Sequence, residues 1–163
     1  MEVFRALVEA GGDVDTPDSR GRTALHVASR SGFTEGLRYL AGRGADVNKS
    51  IDDEYGHTPL TTASASNHVE VVRALLEAGA DANKSTTGGD GYTPLTLASD
   101  WGKVEVVRAL LEAGADVNKR NGYGNSPLYL ALKDEAWASE QRRQALAQIA
   151  VLLREAGAQE PQQ

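Results

Sequence analysis

A short motif returns along this chain at a nearly fixed interval: Thr23-Ala24-Leu25-His26, Thr58-Pro59-Leu60-Thr61, Thr93-Pro94-Leu95-Thr96 and Ser126-Pro127-Leu128-Tyr129. The intervals between starts are 35, 35 and 33 residues, from 23 to 58, 58 to 93 and 93 to 126. A second landmark keeps step with it: Gly44-Ala45-Asp46-Val47-Asn48, Gly79-Ala80-Asp81-Ala82-Asn83 and Gly114-Ala115-Asp116-Val117-Asn118, with Gly11-Gly12-Asp13-Val14-Asp15 as a weaker first copy. The glycines at 44, 79 and 114 each follow their start by 21 residues. A period of this length argues against one closed core and for a stack of like units, each too small to bury its apolar face alone.

Each landmark has a physical reading. Thr or Ser offers a side-chain oxygen to the unpaired amides of a helix start, and Pro at the next position loses only an N–H that would be unpaired there. Gly32 and Gly102 fall nine residues after their threonines, where a short first helix must reverse into a second. Glycine takes the left-handed backbone there without steric cost, and Asn67, at that place in the second copy, is the side chain that best tolerates it. Second helices are expected over Val69 to Ala78 and Val104 to Ala113, with Val72, Leu75 and Leu76, or Val107, Leu110 and Leu111, forming one buried stripe. Gly44, Gly79 and Gly114 cap them. Glu70, Arg73 and Glu77, like Glu105, Arg108 and Glu112, have the spacing of charge pairs along one helix.

The T-P-L-x-x-A start, the glycine between two short helices and the V-V-R-A-L-L-E-A-G-A-D-V-N run together resemble the ankyrin repeat. The resemblance implies an all-α solenoid of stacked helix-turn-helix units with projecting β-turn or hairpin fingers. On that reading residues 1–158 are one repeat domain. It divides into a partial unit 1–15, repeats 16–48, 49–83 and 84–118, and a capping repeat 119–158, with 159–163 a disordered tail. The first unit, Glu2 to Gly11, aligns with a second helix that lacks its first; it belongs either to a longer array or under another chain. Two connections, Ser50 to His57 and Ser85 to Tyr92, are two residues longer than the last, so two fingers should project further. The last copy carries a polar insertion, Lys133 to Gln144, read as longer terminal helices. Ser139 caps the second of these, and Ala145, Leu146, Ile149, Leu152, Leu153 and Ala156 face the stack.

Several chemistries find no support in the residues. His26, His57 and His68 stand at three different repeat positions and form no triad or metal-ligand spacing; the resemblance gives His26 a hydrogen bond between adjacent loops. The glycine-rich run Thr86 to Gly91 lacks the Lys-Ser/Thr ending of a phosphate loop, and Asp52-Asp53-Glu54 reads as a solvated acidic surface. No enzyme activity, cofactor, metal or small-molecule substrate is expected. A net charge of −6 opposes binding to nucleic acid. With no apolar run of spanning length, no membrane partner is expected. The absence of cysteine suits a reducing compartment, the cytoplasm or, in a eukaryote, the nucleus.

The expected partner is another protein. The resemblance implies binding through the concave face lined by the fingers and first helices, as an adaptor or inhibitor; a regulatory arm of a larger enzyme and an immunity or host-manipulating protein are the alternatives. Carried over by spacing, the binding positions are Arg20, Arg22, Arg30, Tyr55, His57, Tyr92, Asp100, Trp101, Tyr123, Asn125 and Lys133, with Ser19, Ser29, Ser64, Ala65 and Asp90 beside them. An exposed aromatic row has no core role, and Tyr and Trp are over-represented at interface hot spots. The expected partner therefore brings an apolar centre to Tyr55, Tyr92, Trp101 and Tyr123 and an acidic end to Arg20, Arg22 and Arg30. Asn48, Asn83 and Asn118 are read as braces of the turn after each glycine; the resemblance also makes them possible acceptors for an asparaginyl hydroxylase.

Overall fold

A computed structural model describes residues 12–133 and 138–161. The uncapped first unit, Glu2 to Gly11, lies outside the described residues, as do part of the Lys133 to Gln144 insertion and the last two positions of the tail.

Within the described residues the chain forms helices and no strands, and the helices come in pairs. They are α1 Ala24–Ser31 and α2 Thr34–Gly42, α3 Pro59–Ala65 and α4 Val69–Glu77, α5 Pro94–Asp100 and α6 Val104–Glu112, and α7 Pro127–Leu132 with α8 Glu140–Glu155. Every first helix starts on its threonine or serine. Thr58 and Thr93 accept the amides of Thr61 and Thr96, and those residues' hydroxyls accept the threonine amides in return, which closes a reciprocal cap. His26 does the same work in the first repeat: its Nδ1 accepts the Thr23 amide at 3.2 Å. The neutral ring must then carry its proton on Nε2, which donates to the His57 carbonyl at 3.1 Å and ties one repeat to the next. Burial holds the His26 pKa below its usual value, which keeps the ring in this neutral form.

The pairs reverse where expected. Gly32, Asn67 and Gly102 have φ of 72°, 60° and 68°, so a left-handed residue follows each of α1, α3 and α5. First helices stack in the order α1, α3, α5, α7 and second helices in the order α2, α4, α6, α8. Leu25, Leu60, Leu95 and Leu128 from one row meet Leu40, Leu75, Leu110 and Leu153 from the other, all within 1% of complete burial. Each contributes about 1.5–3 kcal/mol of apolar burial. Leu76 and Leu111 are only partly buried, because Val71 and Val106 take the deeper positions.

Two polar ladders hold neighbouring repeats in register. On one, Asn48, Asn83 and Asn118 accept through Oδ1 the amides of Asp81, Asp116 and Gln159 at 2.8, 2.7 and 2.8 Å; Asp15 plays that part for Asp46. The bracing role is therefore real, and it spans repeats. On the other, Arg38 pairs with Glu77 at 2.7 Å and Arg73 with Glu112 at 2.9 Å. These arginines reach across repeats instead of along their own helix, correcting the expectation from helical spacing. Arg108 instead turns back along its own helix, to Glu105 at 3.6 Å.

The capping repeat departs from expectation in one helix. α7 has six residues, not a lengthened run, because the backbone turns extended at Lys133; the added length lies in α8, which has sixteen. Ser139 caps α8 by accepting the Arg142 amide at 3.2 Å. Leu146, Ile149, Ala150 and Leu153 are buried in the stack, while Ala156 stands exposed beyond the helix end, where the chain turns through Gly157. At the start of the tail Gln159 meets Asn118, and Glu160 pairs with Arg154 at 2.6 Å.

Candidate protein-binding face

Four fingers rise from the loops, each closed by one backbone hydrogen bond: Asp18 to Arg22 at 2.9 Å, Ile51 to His57 at 2.8 Å, Thr86 to Tyr92 at 2.8 Å and Asn121 to Asn125 at 3.0 Å. The middle two each enclose two more residues than the outer two, matching the longer connections in the sequence. Side chains shape the tips. Asp18 Oδ1 accepts the amides of Arg20 and Arg22, Asn121 Oδ1 those of Tyr123 and Asn125, and Asp53 Oδ1 those of Tyr55 and Gly56. Neighbouring fingers touch through backbone: Gly88 donates to the Tyr55 carbonyl at 3.0 Å and Gly122 to the Asp90 carbonyl at 2.8 Å.

The candidate residues separate into two groups. Arg20, Arg22, Arg30, Tyr55, His57 and Trp101 line one cleft of about 480 Å3, together with His26, Ile51, Asp53, Thr62, Ala65 and Ser66. Trp101, half of its surface open at 55%, caps α5, and Tyr55 is 49% exposed. Arg22 is engaged within its own finger: its guanidinium grips Asp18 through Nε at 2.9 Å and Nη2 at 2.7 Å. Those hydrogen bonds hold the Asp18 carboxyl down at about 2. Arg20 and Arg30 are exposed and carry no ion pair among the described residues. Burial also lowers the His57 pKa, against the pull of the Asp53 and Asp90 carboxylates, so this cationic cleft owes its charge to arginine.

The second group is bound to itself. Tyr92 donates its hydroxyl to Asp100 at 3.3 Å, Lys133 forms an ion pair with the same carboxylate, and Arg142 donates to the Asp100 carbonyl at 2.7 Å. Burial, then the Asp100 charge, push the Tyr92 phenol up to about 12. The rings of Tyr92 and Tyr123 meet edge to face at 6.4 Å, and Tyr123 remains 68% exposed. Asp100 is thus a strut joining the third finger to the cap. Asn125 closes the fourth finger through its backbone. Ser29 and Ser64 are fully buried and offer no surface; Ser64 donates its hydroxyl to the Leu60 carbonyl of its own helix at 2.8 Å.

Spacing alone did not reveal the cleft floor. Thr62 and Ser66 were not among the expected positions, although a signal existed: where α1 carries Arg30 and α5 Asp100 in the last turn and Trp101 follows α5, the matching places on α3 are the small residues Ala65 and Ser66. Tyr129, 43% exposed at a helix position otherwise filled by threonine or buried histidine, was also missed. Among the described residues no group of three His, Asp or Glu side chains is placed to hold a metal ion, and no helix is long and apolar enough to cross a membrane.

Known proteins share parts of this pattern. Residues 1–86, 50–121 and 83–139 match the family model described as ankyrin repeats in three copies. The chain is 44% identical over 55 residues to alpha-latroinsectotoxin-Lt1a of Latrodectus tredecimguttatus, covering 32% of this chain and 4% of the toxin. It is 38% identical over 53 residues to protein phosphatase 1 regulatory subunit 27 of Homo sapiens and of Mus musculus, covering 32% of this chain and 34% of theirs. The match of the family model across most of the repeats, with the paired helices and stacked fingers described above, places this chain in the ankyrin-repeat family.

Proposed function

We propose that this protein is an adaptor or inhibitor that grips a folded protein partner through its concave face, in the cytoplasm or another reducing compartment. Ankyrin repeats are protein-interaction modules and typically non-catalytic; likeness to a phosphatase regulatory subunit over one third of the chain fits such a role. The observation that carries the reading is the exposure of Tyr55 and Trp101 on the walls of a single cleft beside Arg20 and Arg30, which carry no ion pair among the described residues. Aromatic side chains held open on a repeat scaffold have only two side-chain torsions to fix, so they lose little on binding and are typical anchors.

The test is site-specific photo-crosslinking in native lysate, with a photoreactive phenylalanine at position 55 or 101 and a control at position 108 on α6. The expected outcome is one protein captured from 55 and 101 and not from 108. Against that purified protein, Trp101→Ala is expected to cost about 2 kcal/mol of affinity or more, as interface anchors do. Capture from position 108 with none from 55 or 101 would place the interface on the convex helices.

A further inference from the structure

The cleft has a composition more specific than a general protein-binding face. Its floor is low because α3 presents Ala65 and Ser66 between Arg30 of one neighbouring helix and Trp101 at the end of the other. Its charge is opposite to that of the molecule: the chain carries −6 overall, yet three guanidinium groups line the cleft against the single carboxylate of Asp53. That carboxylate already accepts two amides of its own finger. Asp18 neutralises Arg22, which leaves Arg20 and Arg30 as the cations that face solvent without a counter-ion among the described residues. Facing them, Trp101 offers an open ring with no aromatic neighbour among the described residues.

Resting on the concave face as the protein-binding surface, we infer that this cleft is a subsite for an acidic residue followed by a bulky apolar one in a segment of the partner. The carboxylate lies between Arg20 and Arg30, where charge-assisted hydrogen bonds are stronger than neutral ones and guanidinium geometry suits a carboxylate. The apolar side chain fills the depression over Ala65 and Ser66 against the Trp101 ring, a pocket volume within the range of small binding sites. An acidic segment also approaches this patch faster than its surroundings, since the remaining surface repels it.

The probe is a short, end-blocked, dye-labelled peptide with Asp-Glu-Leu-Phe at its centre and Gly and Ser elsewhere, followed by fluorescence anisotropy. Saturable binding is expected. It should weaken about tenfold or more when the peptide carries Asn-Gln-Leu-Phe, or when the protein carries Arg20→Gln and Arg30→Gln together. Ala65→Phe, which fills the depression from a partly buried position at the cleft floor, should abolish it while the thermal midpoint by circular dichroism stays at the wild-type value. Equal binding of the neutral peptide, or unchanged binding to Ala65→Phe, overturns the inference. So does a concentration-dependent dimer in sedimentation equilibrium that the paired arginine changes dissolve, which would give the cleft to a second copy of this chain. If no peptide binds while crosslinks from positions 55 and 101 persist, the subsite fails and the concave interface stands; crosslinks from position 108 alone remove the interface itself.

Discussion

Adding one methyl group at Gly122 is expected to unlock the last two fingers from each other. A Cβ there would lie 2.9 Å from the Asp90 carbonyl carbon, 3.0 Å from its oxygen, and closer still to the Gly89 oxygen. All three are backbone atoms of the third finger, so no side-chain rotation relieves the contact. The fourth finger must move off, and the 2.8 Å hydrogen bond from the Gly122 amide to the Asp90 carbonyl goes with it. The lost bond is worth about 1 kcal/mol, and forced repacking adds about 1–3 kcal/mol, so Gly122→Ala should cost about 2–4 kcal/mol. For a chain of this size, at about 2–4 °C per kcal/mol, that lowers the melting temperature by about 4–16 °C. The control is Gly89→Ala, one finger away, where an added Cβ meets nothing within 4 Å. Thermal unfolding by circular dichroism, with both variants beside the wild type, is the assay. Equal midpoints for the two variants would refute the claim that backbone contact between these fingers is tight.

Three further outcomes follow from the polar groups. His26 and His57 are held below their ordinary value of 6.5 by burial, so the folded state prefers the neutral rings. As pH falls below about 6.5 the unfolded chain takes up protons first, and stability drops by at most about 1.4 kcal/mol per pH unit for each ring until the folded rings also protonate; urea titrations between pH 7.5 and 5.5 should show a shallower loss in His26→Gln than in wild type. Asn83→Ala removes the acceptor of the 2.7 Å bond from the Asp116 amide and should cost about 1 kcal/mol in the same urea assay. Tyr92, at about 12, should titrate last among the tyrosines when phenolate absorbance is followed upward from pH 9, and Tyr92→Phe should delete that upper step. Because its folded pKa is raised, any stability it contributes is lost between about pH 10 and 12.

Much of the fold was legible from residue order because each unit contacts only its neighbours. The threonine starts, the left-handed residue after each first helix and the leucine pairs are local rules satisfied by local residues, and Asn67 at φ 60° shows that even an exception to glycine could be read. In the cap, Ser139 and the buried stripe of α8 were legible for the same reason, whereas the brevity of α7 depends on an extended backbone at Lys133 that no propensity announces.

Apart from the His26 tie to the next loop, what crossed from one repeat to the next was decided only in three dimensions. Arg73 has an acidic residue at helical spacing on either side, yet it chooses Glu112 of the following repeat, since the stacked second helices bring that carboxylate within reach. Arg22, expected to meet a partner, is held by Asp18, and Asp100 and Lys133 are consumed in a strut. The cleft itself arises from a difference between neighbours: Ala65 and Ser66 lie beside Arg30 and Trp101 only after three helices stack. Residue order alone determined the repeated unit, because its hydrogen bonds and apolar contacts close within a few tens of residues. The surface it presents was left to the tertiary structure, because clefts and ion pairs are set by distances between side chains of different repeats.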